Sequence, residues 1–101
     1  AYTAARLADA HRAWLAALPA ALHPAPGIAC CHGTPTSDLT YLLETVTDDF
    51  DRAAGRPGLR AATAAEVAQR LAGFGAGGLV LCGHSHVPRL LQLDDGTLVV
   101  N

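Results

Sequence analysis

Apolar residues recur along this chain with two different periods. From Thr3 to Leu18 the spacing is helical: Leu7, Trp14, Leu15 and Leu18 share one side, Arg6, Asp9 and Ala13 another, and Pro19 stops the run. Residues 36–50, "TSDLTYLLETVTDDF", carry the most regular stripe, with Leu39, Leu42, Leu43, Val46 and Phe50 at i, i+3, i+4, i+7 and i+11. That stripe predicts a second helix, capped by Thr36 or Ser37 and broken by "GRPG". Asp38 would lie in its first turn, where a carboxylate favours the positive end of the helix dipole. A third helix is predicted from Thr63, whose spacing to Glu66 makes a capping box. Val67, Leu71 and Phe74 form its stripe, and the glycine-rich "GFGAGG" ends it.

Two shorter apolar runs, "GIACC" at 27–31 and "LVLC" at 79–82, suit buried strands, and "PAALHPAPG" reads as the connection into the first. "RLLQL" and "TLVV" flank "DDG", a hairpin signal in which Asp94 and Asp95 serve the turn. The predicted order is helix, strand, two helices, strand, hairpin, which is an α/β fold. A strand–helix–strand section asks for a parallel pair joined by a right-handed crossover. In open α/β sheets ligands bind beyond the carboxyl ends of such strands. Here the first strand runs into His32 and Gly33, and the second into Gly83, His84 and His86.

A chain of 101 residues fits one domain, which buries about 60% or a little more of its unfolded surface. With half its residues hydrophobic and 16% charged, it is globular rather than disordered. The net charge of −2 argues against nucleic acid as the main partner. Arg6, Arg12, Arg52, Arg56, Arg60, Arg70 and Arg89 are scattered and form no basic stripe. The longest uncharged stretches contain prolines, glycines or histidines that a spanning helix tolerates poorly, so no membrane segment is predicted. Residues 2–18 mix Arg and Asp with alanine, unlike a secretory signal. Three cysteines, two of them adjacent, make no disulfide framework, and a reducing cytoplasm is the expected setting.

An imidazole offers one neutral nitrogen lone pair to Zn, Mn, Fe or Ni. A turn that follows Gly83 lets His84 and His86 reach one small volume, with the glycine permitting close backbone approach. His32 would add a third ligand from the neighbouring strand end, with Gly33 leaving room beside it. The same histidines also fit ordinary hydrogen-bonded structural roles, and the pattern alone leaves both readings open. Cys30, Cys31 and Cys82 tempt a Cys/His zinc reading. On strands, however, Cys31 and His32 face opposite ways, as do Cys82 and Gly83, so the thiols are expected as small buried hydrophobes. His11 and His23 are expected to be structural. Arg89, three residues past His86, is a weak candidate for facing a phosphate.

"LVLCGHSHVP" followed by "LVVN" resembles the G-H-[ST]-H motif of calcineurin-like metallophosphoesterases, and "CCHGTPTSDLTYLLE" is similar to their preceding H-G-[ST]-P segment. The nearest likeness is to the small bacterial phosphodiesterase and protein-phosphatase-like members. The resemblance implies a four-layer α/β/β/α sandwich with two divalent metal ions, Mn, Fe, Zn or Ni, at the strand ends. It assigns His32 and His84 to one metal and His86 to the other, and makes Asn101 a loop residue that shapes the pocket. A hydroxide bridging the metals would attack a phosphomonoester or phosphodiester in line, with metals about 3.5–4 Å apart steadying both oxygens.

The family's Gly-Asp-x-x-Asp and Gly-Asn-His-[Asp/Glu] motifs have no match here, and of Asp9, Asp38, Asp48, Asp49, Asp51, Asp94 and Asp95 only Asp9, in "DAH", is followed two residues later by His. Residues 1–101 are therefore expected to be the C-terminal portion of one metallophosphoesterase domain, with no catalytic residue of their own and inactive alone. The sheet face that meets the other half would then need cover from a partner chain, a homo-oligomeric copy included. Two other readings stand beside this one: a non-catalytic scaffold or assembly module on the same fold, and a small Cys/His zinc-binding structural domain.

Overall fold

The computed structural model describes residues 2–101. Its elements in chain order are α1 (Tyr2–Arg6), α2 (Asp9–Ala16), β1 (Ala21–Ala25), β2 (Ile28–Cys31), β3 (Glu44–Asp51), β4 (Arg56–Ala61), α3 (Ala64–Leu71), β5 (Leu79–Leu81), β6 (Leu90–Gln92) and β7 (Leu98–Val100). Five strands form a mixed sheet in the order β1-β2-β5-β7-β6, and β3 and β4 form a separate two-stranded ribbon. The class is α/β, as the pattern predicts.

The apolar runs at 27–31 and 79–82 are strands, and β2 and β5 pair in parallel with Ala29 opposite Val80. The "DDG" hairpin is also present: β6 and β7 are antiparallel, and β7 lies parallel to β5 with Val80 opposite Val99. Its turn closes as turn chemistry requires. Gly96 takes a φ of +87°, and the Asp95 carboxylate accepts the Thr97 N–H at 2.9 Å. That register sets Ala29, Val80 and Val99 in one fully buried row across the sheet. Val67 and Leu71 of α3, together with Leu42 and Leu43, complete the core with this row. The capping box forms as predicted: Thr63 Oγ1 accepts the Glu66 N–H at 3.2 Å, and Glu66 Oε2 accepts the Thr63 N–H at 2.7 Å.

Three predicted elements differ. The helix expected over 36–50 does not form, so one helix rather than two separates β2 from β5. Residues 34–40 instead fold back on themselves, with Thr34 N–H donating to Ser37 O at 2.8 Å, and β3 begins at Glu44. Ser37 Oγ accepts from Leu39 N–H and from the Thr40 hydroxyl, the local bonding by which Ser and Thr compete with helix formation. Thr45, Val46 and Thr47 are β-branched and prefer extended backbone, and β4 supplies a partner that no helical period reveals. Three of the five residues in the supposed stripe face water, with Leu39, Val46 and Phe50 exposed by 85%, 55% and 63%. Asp38 thus sits in an exposed turn, not at a helix terminus.

The long N-terminal helix is broken into α1 and α2, because Ala8 is extended at φ −67°, ψ 154°. Neither piece buries a side chain, so no packing holds the longer helix together. The Arg12 guanidinium ties the pieces by donating to the Leu7 and Ala4 carbonyls. Residues 21–25, read as connection, form β1, an edge strand that pairs antiparallel with β2.

The sheet is covered on one face only. The opposite face carries Leu22, Cys30, Leu81, Val100 and Leu90, aligned across all five strands by the register. On it Leu22, Leu81 and Leu90 are exposed by 50%, 38% and 63%. The molecule is accordingly plate-like, 45 × 43 × 19 Å. Its radius of gyration is 15.7 Å, against roughly 13 Å for a compact domain of this length.

Candidate metal centre

The parallel pairing of β2 and β5 places the residues that follow each strand side by side. Gly83 N–H donates to His32 O at 2.8 Å, so the backbone beyond β5 is stitched to the backbone beyond β2. The His32 and His84 rings consequently lie 4.9 Å apart, tilted by 60°. Tyr41 packs on the other partner of this pair, its ring 4.6 Å from that of His84 at 33°. His84 is half-buried and His32 exposed, so the pair opens to solvent at the carboxyl edge of the sheet.

The turn that carries the histidines is held in an uncommon backbone. His84 has φ +72° and His86 φ +57°, both in the left-handed region. A side chain there costs about 1–2 kcal/mol at each residue. The surrounding bonds keep it so. Asn101 Nδ2 donates to Ser85 Oγ at 2.6 Å and to Gly83 O at 3.2 Å, while Ser85 N–H returns to Gly83 O at 2.9 Å. Asn101 thus braces the histidine turn directly.

The close backbone approach expected at Gly83 is found at Gly33 instead. A Cβ on Gly83 would meet only His32 O, at 3.9 Å, which is ordinary contact, so space does not demand glycine there. A Cβ on Gly33 would lie 2.5 Å from Thr40 O and 2.6 Å from Ser37 O, so it is Gly33 that permits close approach, by letting the 34–40 loop fold in. That loop leads straight into Tyr41.

Two arginines that bear on this site were not singled out for the roles they play. Arg70, on α3, donates through Nη1 to the carbonyls of Tyr41, Leu42 and Glu44 at 3.2, 3.0 and 2.9 Å, and through Nη2 to Thr45 Oγ1 at 2.7 Å. One side chain therefore fixes the strap that positions Tyr41. Arg89 is paired within the fold: its Nε donates to Glu44 Oε1 at 2.8 Å, and Glu44 is 3% exposed. Glu44 reads in sequence as one polar position on a helix. Nothing local marks it as the buried partner of an arginine 45 positions on.

The thiols stay out of the site. Cys31 Sγ is 3.5 Å from Gly33 O, in donor geometry. Burial first, then the neighbouring Cys30 and Asp38 charges, pushes the Cys31 thiol above its usual range, and burial pushes Cys82 to about 11. Such groups remain protonated at neutral pH, as suits small, partly buried hydrophobes. His23 is structural, its ring packed 5.1 Å from that of Phe74, and His11 is exposed on α2.

Two imidazoles side by side at a strand-end edge suit a borderline divalent ion as part of its ligand shell. No group of three or more His, Cys, Asp and Glu side chains is gathered at metal-binding distance among the described residues. His86 is thus not drawn into one cluster with His32 and His84, and no carboxylate stands beside the pair. The donor set fits one share of a centre and does not by itself make up a two-metal site. A concavity of about 310 Å³ lies elsewhere, between α3 and the β6–β7 turn, and is lined by Leu71, Phe74, Leu93 and Asp94 among others. Comparison of the chain with protein-family models, with curated proteins and with solved structures finds no match.

Proposed function

We propose that this chain supplies the histidine share of a calcineurin-like metallophosphoesterase centre, hydrolysing phosphomonoesters or phosphodiesters when the carboxylate ligands are present. The observation that carries this reading is the delivery of His32 and His84 to 4.9 Å by two parallel strand ends. Left-handed backbone at both histidines of the G-H-S-H turn supports it, because such conformations persist at sites where a side chain must be aimed. The uncovered apolar face supports the sandwich: in a four-layer α/β/β/α arrangement a second sheet covers the row from Leu22 to Leu90.

In this reading His32 and His84 hold one divalent ion, Mn, Fe, Zn or Ni, and His86 turns toward the second. Bound divalent ions supply Lewis acidity to the phosphoryl group and acidify water. The chain's own residues do the rest of the positioning: Tyr41 limits rotation of the His84 ring, Asn101 braces the turn, and Arg70 holds the Tyr41 strap. The cytoplasm is the proposed compartment, in keeping with three free thiols.

The test is hydrolysis of bis(p-nitrophenyl) phosphate with Mn by the full product of the reading frame, beside Mn binding measured calorimetrically. His84→Ala and His32→Ala are each expected to lower Mn affinity at least about tenfold and to abolish turnover. Unchanged turnover in His84→Ala overturns the proposal.

The absence of a third donor near the pair among the described residues favours one second reading, a scaffold or assembly module on the same fold. It predicts a folding transition indifferent to Mn and no turnover by the full product.

A further inference from the structure

The β3–β4 ribbon has two unlike faces. Opposed residues of an antiparallel pair share a face, and so do alternate residues of one strand. Thr45 and Arg60, which are opposed, turn toward α3: Thr45 Oγ1 accepts from Arg70 at 2.7 Å, and Arg60 bonds Glu66. A Cβ on Gly58 would meet Thr47 Oγ1 and the Asp49 Cβ, which puts Thr47 and Asp49 on that side too. The other face carries Val46 opposite Leu59 and Phe50 opposite Pro57, with Asp48 between Val46 and Phe50 by alternation. It is largely bare, with Val46 and Phe50 both more than half exposed. A two-stranded ribbon is marginally stable alone in water, so an apolar face on one gains much from cover.

This face is complementary to itself. Tyr41, Val46, Arg56, Pro57 and Leu59 line a concavity of about 170 Å³, and Phe50 is not among the residues that line it. An apolar cavity of about 150 Å³ accepts benzene, which is the ring of a phenylalanine side chain. Asp48 and Arg56 take part in none of the ion pairs found among the described residues, so each has a charge to offer.

We propose that this face docks on the same face of a second copy of the chain, about a two-fold axis running along the ribbon. That axis lays each β3 across the partner's β4. Phe50 then meets the partner's Pro57 and enters the concavity, Val46 meets the partner's Leu59, and Asp48 faces the partner's Arg56, each contact being made twice. A two-fold axis across the ribbon would instead set Asp48 against its own copy, a like-charge contact that specific interfaces avoid. The bare sheet face from Leu22 to Leu90 is a different surface, so this docking goes beyond the phosphoesterase reading and does not depend on it.

The experiment is sedimentation equilibrium on the full product of the reading frame, which is expected to show a monomer–dimer equilibrium. Phe50→Ser is expected to weaken dimerisation at least about tenfold, because an aromatic anchor is lost on both sides. Asp48→Arg and Arg56→Asp, at exposed positions, are each expected to weaken it about tenfold by setting like charges together. Mixing these two variants is expected to restore a dimer within about threefold of the unaltered affinity, since the mixed dimer regains both opposite-charge contacts. A charge effect within one chain gives no such rescue, and the rescue itself requires that both variants be folded. A full product that stays monomeric at about 1 mM overturns the inference. So does a dimer untouched by Phe50→Ser, or one that the charge reversals leave unchanged or weaken without rescue on mixing.

Discussion

His84 and His86 occupy backbone that glycine adopts freely and histidine adopts at a cost. Substituting either one therefore changes two things, the imidazole and the strain, and a pair of variants at His86 separates them. His86→Gly and His86→Ala both remove the ring, but only the glycine relaxes the left-handed φ. The glycine variant is expected to be more stable than the alanine variant by about 1 kcal/mol in urea titration, and equal stabilities would show that the strain is not present in solution. Glu44 and Arg89 pose the opposite case, since the carboxylate is almost wholly buried and the guanidinium partly so. Removing one partner of a buried pair leaves an uncompensated charge. Arg89→Met is accordingly expected to destabilise by about 2–3 kcal/mol, less than for a fully buried pair because the arginine is partly solvated. Adding Glu44→Gln to it should recover part of that loss. A double variant no more stable than the single one would mean that the pair does not act as a unit.

At the scale of elements, α3 carries the most local stabilisation and also the clearest dependence on pH. The Arg60 guanidinium bonds both oxygens of Glu66, at 2.9 and 2.8 Å, and with the Thr63 N–H it holds this carboxyl well below its ordinary value of 4.5. A carboxylate with a depressed folded value contributes stability that is complete above the unfolded value and fades as pH falls through and beneath it. Melting temperature is therefore expected to fall on acidification from about pH 5 downward, and to fall less steeply in Glu66→Gln. Thr63→Ala, which removes the other half of the box, is expected to cost about 1 kcal/mol at neutral pH. The capping box, the α3 stripe and the "DDG" hairpin were legible in the sequence because each is set by residues within a few positions of one another. The 36–61 region was not. Its five apolar positions satisfy a helical period, yet Leu42 and Leu43 are both buried side by side while Leu39 and Phe50 face water. A bent strap clamped by Arg70 sets both leucines into the core there.

The five-stranded sheet is covered on one face by α3 and the 42–43 strap and bare on the other from Leu22 to Leu90. Contiguous apolar surface of this kind drives association when nothing covers it. At high concentration the isolated chain is expected to self-associate in sedimentation velocity. Leu90→Ser, on the outermost strand of that row, should shift it toward monomer without unfolding it. A compact monomer across the same concentrations would show that the bare face is not sticky enough to need a partner. No helix among the described residues is long and apolar enough to cross a membrane, in line with the prolines and glycines of the uncharged stretches.

The amino-acid sequence by itself determined the elements whose signals are local: β2, β5, the β6–β7 hairpin, α3 with its cap, and from their order the parallel pair. It thereby determined that His32 and the G-H-S-H turn share one edge, since residues following parallel neighbours must emerge together. Only the tertiary structure decided what surrounds them. Tyr41 against His84, Arg70 beneath the strap, Glu44 against Arg89 and Asn101 against Ser85 join residues from 16 to 45 positions apart. It also decided between helix and ribbon at 36–61, where the 3.6-residue period and the β-branched composition disagree. Periodicity reports only which side of an element is apolar. Which partner covers that side depends on hydrogen bonds and burial that close over the whole chain, and here the ribbon satisfies Arg70, Glu44 and the core leucines together.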